Sequence, residues 1–353
     1  MTTNRVHSHV EQVSKDVEYN LTESADDVFD DNFKFQVCDM LELTRDGASR
    51  ENFVSSLGAA LEDVGFAILI NHGIDASLFE ATHGEIVNLF TGTPLGRKLE
   101  FVETESRGSV RLGYFPFQQS TQLQPDLVEG WEFDRAAFRV PGGGGEQALT
   151  FWPDARFESA FRRQWQACED LVVPVMHAML SYFDSDVTLF DDELSPPKAV
   201  LRFNYYPSID ESMLDLREGA GRLVAHEDIT LFTLLPAPMT EGLQVYHPQL
   251  DAWTRLSAPP GSIILNSGDY LKRITNNRFQ SCTHRVSVPR DAALRGAPRT
   301  SFPFFVYLHE ESQLQALPCF TESYYEPIRA YDFHVGVSRK FYGSDDEQPG
   351  CDT

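Results

Sequence analysis

Residues 199–206 read Ala-Val-Leu-Arg-Phe-Asn-Tyr-Tyr and follow directly on Pro196-Pro197-Lys198. An aromatic and branched run bounded by proline is a strand signal. It opens a series of strand candidates at 229–235, 242–246, 252–256, 261–266, 282–288 and 300–308. Gly242, Pro259, Pro260, Gly261 and Gly268 punctuate the series. Short strands in close order with turn residues between them indicate a closed or sandwiched antiparallel barrel. Upstream of Pro197 the pattern changes. Apolar residues at three- and four-residue spacing predict helices over 50–64, 75–90 and about 157–181, with Pro174 a candidate kink in the last. Phe66-Ala-Ile-Leu-Ile70 reads as a short strand running into the turn Asn71-His72-Gly73. The expected fold is mixed α/β with a mainly β core: a double-stranded β-helix (jelly-roll, cupin-like) carried by a helical N-terminal region. The expected division is a flexible acidic segment over 1–32, the helical region over 33–195, the barrel core over 196–320, a C-terminal cover over 321–342 and a disordered tail over 343–353.

Composition narrows the partners. The chain has 353 residues, and 29 basic against 53 acidic side chains give a formal charge of −24. Such a surface repels nucleic acid and anionic membranes, although a local arginine pocket can still receive a small anion. Five scattered cysteines without CxxC spacing point to a reducing compartment rather than a disulfide framework. The N-terminus lacks the apolar core of a secretion signal, and no apolar stretch approaches the roughly 20 residues of a membrane span. The expectation is a cytoplasmic protein, monomeric or weakly dimeric, acting on a small molecule.

Chemistry concentrates at His226-Glu227-Asp228 and His284. On extended backbone, side chains two apart share a face, so His226 and Asp228 can aim into the barrel while Glu227 points away. His284 lies in the apolar pattern Cys282-Thr-His-Arg-Val-Ser-Val288 and can approach from another strand. Two imidazoles and one carboxylate are the facial set of non-haem iron(II) oxygenases, which leaves metal positions open for ligands. A closed structural site would have filled its positions with protein donors. His72, His247 and His309 are better read as turn, packing or surface residues. Arg299 and Ser301 repeat the alternation, and an arginine beside a hydroxyl can clamp a carboxylate. Asn204 and Tyr206 form another such pair, with the tyrosine ring equally suited to a core position.

The chain resembles the isopenicillin-N-synthase-like branch of the Fe(II)/2-oxoglutarate oxygenases over roughly residues 33–333. The resemblance rests on the order of Asn71-His-Gly-Ile74, Asn204-Tyr-Tyr-Pro207, His226-Glu-Asp228, Gly242-Leu-Gln-Val245, Pro260-Gly-Ser262, Asn266-Ser-Gly-Asp269, Thr275-Asn276, Ser281-Cys-Thr-His-Arg-Val286 and Arg299-Thr-Ser-Phe-Pro-Phe-Phe305. It implies iron held by His226, Asp228 and His284. It also implies 2-oxoglutarate anchored through its distal carboxylate by Arg299 and Ser301, with Asn204 and Tyr206 near its other end. O2 is the further cosubstrate. The implied reaction is hydroxylation, desaturation or ring closure of a small organic substrate by hydrogen abstraction, with release of succinate and CO2, in a setting such as specialised metabolism or antibiotic biosynthesis. The carboxylate at Asp228 argues against halogenation, which needs that position vacated for chloride. Isopenicillin N synthase uses the same Arg-x-Ser element for a substrate carboxylate and consumes no 2-oxoglutarate, so a 2-oxoglutarate-independent oxidase is the alternative.

Substrate selection is expected in the segment 106–114, where Arg107 and Arg111 can meet a substrate carboxylate or phosphate or remain solvated. Trp131 and Phe133 are candidates for an apolar wall or for core. Gly142 to Gly145 can hinge a lid or form a plain surface loop.

Overall fold

The computed structural model describes residues 9–11, 18–102, 112–116, 127–139, 151–209, 221–289 and 291–342. Arg107, Arg111, the Gly142–Gly145 run and the 343–353 tail lie outside the described residues. Strands β1 (His9–Glu11) and β2 (Glu18–Asn20) form a small antiparallel pair. β3 (Val37–Asp39) leads towards helix α1 (Ala48–Asp63), β4 (Phe66–Ile70) and helix α2 (Ala76–Gly92). β5 (Gly113–Phe115) and β6 (Glu129–Phe133) precede the long helix α3 (Ala155–Tyr182). The barrel strands then follow: β7 (Lys198–Tyr206), β8 (Leu223–His226), β9 (Phe232–Pro236), β10 (Leu243–His247), β11 (Ala252–Arg255), β12 (Ile263–Ser267), β13 (His284–Val286), β14 (Arg299–Ser301) and β15 (Phe304–Tyr307). A β16 (Gln313–Leu314) and β17 (Ile328–Arg329) pair leads into helix α4 (Ala330–Tyr342).

Two sheets face each other as in a jelly roll. The smaller runs β11-β10-β13-β8, and the larger runs β3-β4-β12-β9-β15-β7-β6-β5 with β14 also on β7. The larger sheet is wide because the helical region contributes strands to its edges, with β4 antiparallel to β12. Helix α3 packs behind it. Asp154 caps its first turn by accepting from the Arg156 N–H, and its stripe Phe157, Phe161, Trp165, Cys168, Val172, Val175, Met176, Met179 is buried. Pro174 falls on the exposed side, as does Asp170, whose carbonyl loses its helical partner, and the helix continues to Tyr182. Phe203 from β7 meets Phe161 at 4.3 Å and Phe133 at 4.9 Å, while Tyr205 stacks on Phe90 at 5.3 Å. The rear face of β7 is thus aromatic core, and its Asn204 and Tyr206 face turns the other way.

Two strand expectations need adjustment. The 300–308 candidate is two pieces. Its register on β7 is unbroken from Ser301↔Asn204 to Phe304↔Leu201, but Pro303 has no N–H to give the ladder between them. The 229–235 candidate begins later, at Phe232, and a separate strand, β8, lies before it and ends on His226.

The acidic lead-in expected to be flexible is, from residue 20 onward, a strap across the smaller sheet. Ala225 N–H donates to Leu21 O at 2.8 Å and Trp253 N–H to Val28 O at 2.8 Å. Arg285 holds it: the guanidinium lies 3.7 Å from the Trp253 ring centroid and donates to Asn20 O, Thr22 O and Asp27 Oδ2 at 3.0, 2.8 and 2.6 Å. Both ion-pair side chains are almost fully buried. Asp27→Ala strands that cation and is expected to destabilise the protein by about 3–5 kcal/mol. Urea unfolding reads this directly, and a loss under about 1 kcal/mol would show that the strap does not depend on the pair.

Helix α4 closes the other side. Tyr270 donates from its hydroxyl to Ala330 O at 3.1 Å and meets His334 Nδ1 at 3.3 Å. Burial pushes His334 down to about 4, Lys198 adds to the effect, and Glu310 opposes it. The folded imidazole therefore resists a proton that the unfolded one accepts near about 6.5. Its contribution to stability is present above that value and is lost as pH falls from about 6.5 towards 4. His334→Gln is expected to flatten the fall in stability between pH 7 and 4.5 by at most about 3 kcal/mol relative to the parent. Parallel slopes in urea titrations at the two pH values would contradict this.

Candidate metal centre and cosubstrate pocket

His226 and His284 are 58 residues apart in sequence but are cross-strand partners on β8 and β13, with ring centroids 4.3 Å apart. Their Nε2 atoms lie 3.6 and 3.7 Å from Asp228 Oδ1, and the three donor atoms fall within 4.8 Å of one another. These separations exceed hydrogen-bond length, so three lone-pair donors converge on one point without a proton shared between them. Among the described residues this is the one group of three or more His, Cys, Asp or Glu side chains so arranged.

The surroundings fix which atoms converge. His226 Nδ1 meets Val224 O at 2.9 Å, and His284 Nδ1 meets Cys282 O at 3.2 Å. A carbonyl can only accept, so each Nδ1 carries the proton and each Nε2 presents a lone pair. Burial pushes His226 down to about 4, the neighbouring His284 adds to this, and Asp228 opposes it. The ring is accordingly neutral near pH 7. Burial opposes charge on Asp228 too, but the two imidazoles and hydrogen bonds from Thr233 and Asn266 outweigh it and hold the carboxyl below its usual range. Those bonds, at 2.7 and 2.8 Å, both go to Oδ2 and leave Oδ1 to face the imidazoles. Two neutral nitrogen donors and one anionic oxygen suit a divalent metal such as iron(II).

Asp228 sits just beyond the strand, in the connection between β8 and β9. The turn Asn266-Ser-Gly-Asp269 holds that connection. Gly268, Asp269 and Tyr270 N–H groups donate to the carbonyls of Leu231, Asp228 and Thr230 at 3.0, 2.8 and 3.0 Å. A Cβ on Gly268 would lie 2.4 Å from Thr230 O and 2.7 Å from Asp228 O, so only glycine permits the approach. Thr233, Asn266 and Gly268 were not singled out as site residues from sequence, although Asn266 and Gly268 lie in a motif quoted above. Their roles depend on contacts across the barrel. Glu227 turns away, accepting from Thr283 Oγ1 at 3.2 Å. His72 bridges a turn, accepting at Nδ1 from Ile74 N–H and donating from Nε2 to Gly261 O at 2.8 Å. His247 is buried against Phe33, and His309 is exposed.

The second cluster comes from pairing β14 with β7, Arg299 opposite Tyr206 and Ser301 opposite Asn204. Asn204 Nδ2 donates to Ser301 Oγ at 3.3 Å, and the Tyr206 and Ser301 hydroxyls are 3.4 Å apart. The Arg299 guanidinium lies 4.9 Å from the Tyr206 ring centroid. It is 1% exposed, and its Nε and Nη1, like Asn204 Oδ1, have no hydrogen-bond partner among the described residues. Burial lowers its pKa, with Tyr206 opposing. A buried cation facing no carboxylate among the described residues suits an incoming anion.

Phe133 corrects the expectation of a substrate wall. It is fully buried, packed edge-on against Trp152 at 4.8 Å and near Trp165 and Phe138, because β6 turns it into the helical core. Trp131 is likewise fully buried and stacks on Trp152.

Comparison with known proteins agrees with this geometry. Residues 197–307 match the model of the 2OG-Fe(II) oxygenase superfamily, and residues 35–155 match that of the non-haem dioxygenase in morphine synthesis N-terminal region. A 2-oxoglutarate-Fe(II) type oxidoreductase of Metarhizium majus is 33% identical over 195 residues, 52% of this chain and 49% of the relative. The chain thus spans about half the length of that relative. Gibberellin 20 oxidase 1 of Oryza sativa subsp. japonica is 26% identical, covering 74% of this chain and 68% of the relative. Among solved structures, the Neurospora crassa T7H in complex with alpha-KG superposes with a TM-score of 0.74 at 22% identity, over 86% of this chain and 95% of the other, a likeness of fold. A 2OG-Fe(II) oxygenase family protein from Caulobacter crescentus gives a TM-score of 0.70 at 26% identity, over 87% and 98%. With the barrel and the helical region each matched and the donor set assembled in the barrel, the chain belongs to the 2OG-Fe(II) oxygenase superfamily.

Proposed function

We propose that this chain is an iron(II)- and 2-oxoglutarate-dependent dioxygenase of the isopenicillin-N-synthase-like branch. In this reading it hydroxylates, desaturates or cyclises a small organic molecule of specialised metabolism. The observation that carries the reading is the convergence of His226 Nε2, Asp228 Oδ1 and His284 Nε2 in the same barrel as a buried Arg299 that meets no carboxylate among the described residues. His226, Asp228 and His284 would hold the iron, which when bound supplies O2 activation coupled to oxidative decarboxylation of the 2-oxo acid. Hydroxylation converts 2-oxoglutarate, O2 and R–H into succinate, CO2 and R–OH.

The residues around the metal have separable tasks. Thr233 and Asn266 orient the carboxylate, and the Val224 and Cys282 carbonyls orient the imidazoles. Arg299 and Ser301 would receive the distal carboxylate by charge-assisted hydrogen bonds. Asn204 and Tyr206 aim the Ser301 hydroxyl and wall the pocket. The aromatic core behind β7 excludes water from that side, which strengthens every charge interaction within.

The test is succinate formation from 2-oxoglutarate by Fe(II)-loaded protein with a panel of small-molecule extracts. The expected result is succinate that depends on iron and rises with one extract. Oxygen consumption with an extract but without succinate would assign the Arg299 pocket to a substrate carboxylate and overturn the 2-oxoglutarate reading.

A further inference from the structure

Arg222 carries no role in the site described above, yet it is 1% exposed and its Nε, Nη1 and Nη2 all lack a hydrogen-bond partner among the described residues. Among the described residues no carboxylate faces it. Its guanidinium lies 6.0 Å from the Tyr206 ring centroid, the same ring that Arg299 approaches at 4.9 Å. Burial pushes Arg222 down to about 10, and repulsion from Arg299 adds to the effect. Two like charges thus share one buried aromatic partner, and five of their six guanidinium nitrogens are unsatisfied. An unpaired buried ion costs several kcal/mol, and a second one beside it raises the cost. A fold keeps such a pair where a ligand supplies the missing charge.

The backbone says where that ligand would lie. Arg222 immediately precedes β8, and its guanidinium reaches towards the Tyr206 ring on β7, on the face where Asn204 and Ser301 meet. His226 ends β8 and Arg222 stands before its first residue, so Arg222 enters at the strand end away from the metal donors. Arg299 and Ser301 reach the same ring from β14. We propose that Arg222 is a second carboxylate-binding arginine, so that the distal carboxylate of a 2-oxo dicarboxylate is received between Arg222 and Arg299. This rests on the cosubstrate reading above and extends it: the pocket selects a dicarboxylic over a monocarboxylic 2-oxo acid through a pair of cations rather than one.

Calorimetric titration of the Mn(II)-loaded full chain tests it with two ligands. These are 2-oxoglutarate and 2-oxopentanoate, which has the same carbon chain with a methyl group in place of the distal carboxylate. Arg222→Gln is expected to weaken 2-oxoglutarate by roughly 10- to 100-fold. Arg222→Lys should fall between, because it keeps the charge without the fork. Affinity for 2-oxopentanoate should stay within about twofold, and the thermal midpoint of the ligand-free Arg222→Gln protein should hold or rise, since an unpaired buried charge has been removed. Unchanged 2-oxoglutarate affinity in Arg222→Gln overturns the proposal while leaving the cosubstrate reading intact. Equal loss of both ligands with a lowered midpoint also overturns it, in favour of a structural arginine. Failure of the parent protein to bind 2-oxoglutarate overturns both readings.

Discussion

Asp228→Asn is expected to abolish metal binding without unfolding the protein. Thr233 Oγ1 and Asn266 Nδ2 both donate to Oδ2. The amide must turn its carbonyl oxygen towards them, because its NH2 cannot accept. That turn places the NH2 where Oδ1 stood, facing the two Nε2 lone pairs. The site then offers a hydrogen-bond donor in place of an anionic ligand. Loss of a hydrogen-bond partner outside the ligand set alone commonly costs about 10- to 100-fold in metal affinity. Loss of the ligand itself should therefore exceed about 100-fold and remove activity. Mn(II) titration and thermal unfolding together check it. Near-parental metal affinity in a folded variant would mean that Asp228 is not a ligand.

Arg299→Ala is expected to cost about 2–5 kcal/mol of 2-oxoglutarate binding, because it removes a buried cation from a charge-assisted, hydrogen-bonded contact. The chain itself should tolerate the change, since the guanidinium leaves two of its nitrogens unpartnered without ligand. Metal affinity should remain, because Arg299 is not one of the three donors. Calorimetry with Mn(II)-loaded protein separates the two effects. A variant that loses metal and cosubstrate together would place Arg299 in the integrity of the barrel rather than in the pocket.

Much of this arrangement was legible in the chain because it repeats with the period of a strand. The pairs His226/Asp228, Arg299/Ser301 and Asn204/Tyr206 are each two residues apart, and the register of β14 on β7 sets the last two face to face. What escaped depended on partners distant in sequence. The acidic residues 20–31 have the composition of a solvated tail until Arg285, more than 250 positions later, supplies a buried partner for Asp27. Asp228 lies past the strand end, and its placement depends on a glycine turn 40 residues downstream. Phe133 looked as suitable for a pocket wall as for a core. Only the packing of α3 against β6 and β7 decides it, because an aromatic side chain has the same pattern in either setting. Arg222 had no motif to mark it, and only the absence of a hydrogen-bond partner among the described residues sets it apart.

The central claim is that metal and 2-oxo acid occupy one barrel interior, joined through the donor set and the arginine pocket. An anaerobic titration tests it most directly: Fe(II) is added to the full chain, then 2-oxoglutarate, and the visible charge-transfer absorption of an iron-bound 2-oxo acid is followed. The account predicts a saturable band that requires both additions, is absent in Asp228→Asn and needs far more 2-oxoglutarate in Arg299→Ala. Folded, iron-loaded parent protein that shows no band at saturating 2-oxoglutarate would contradict it.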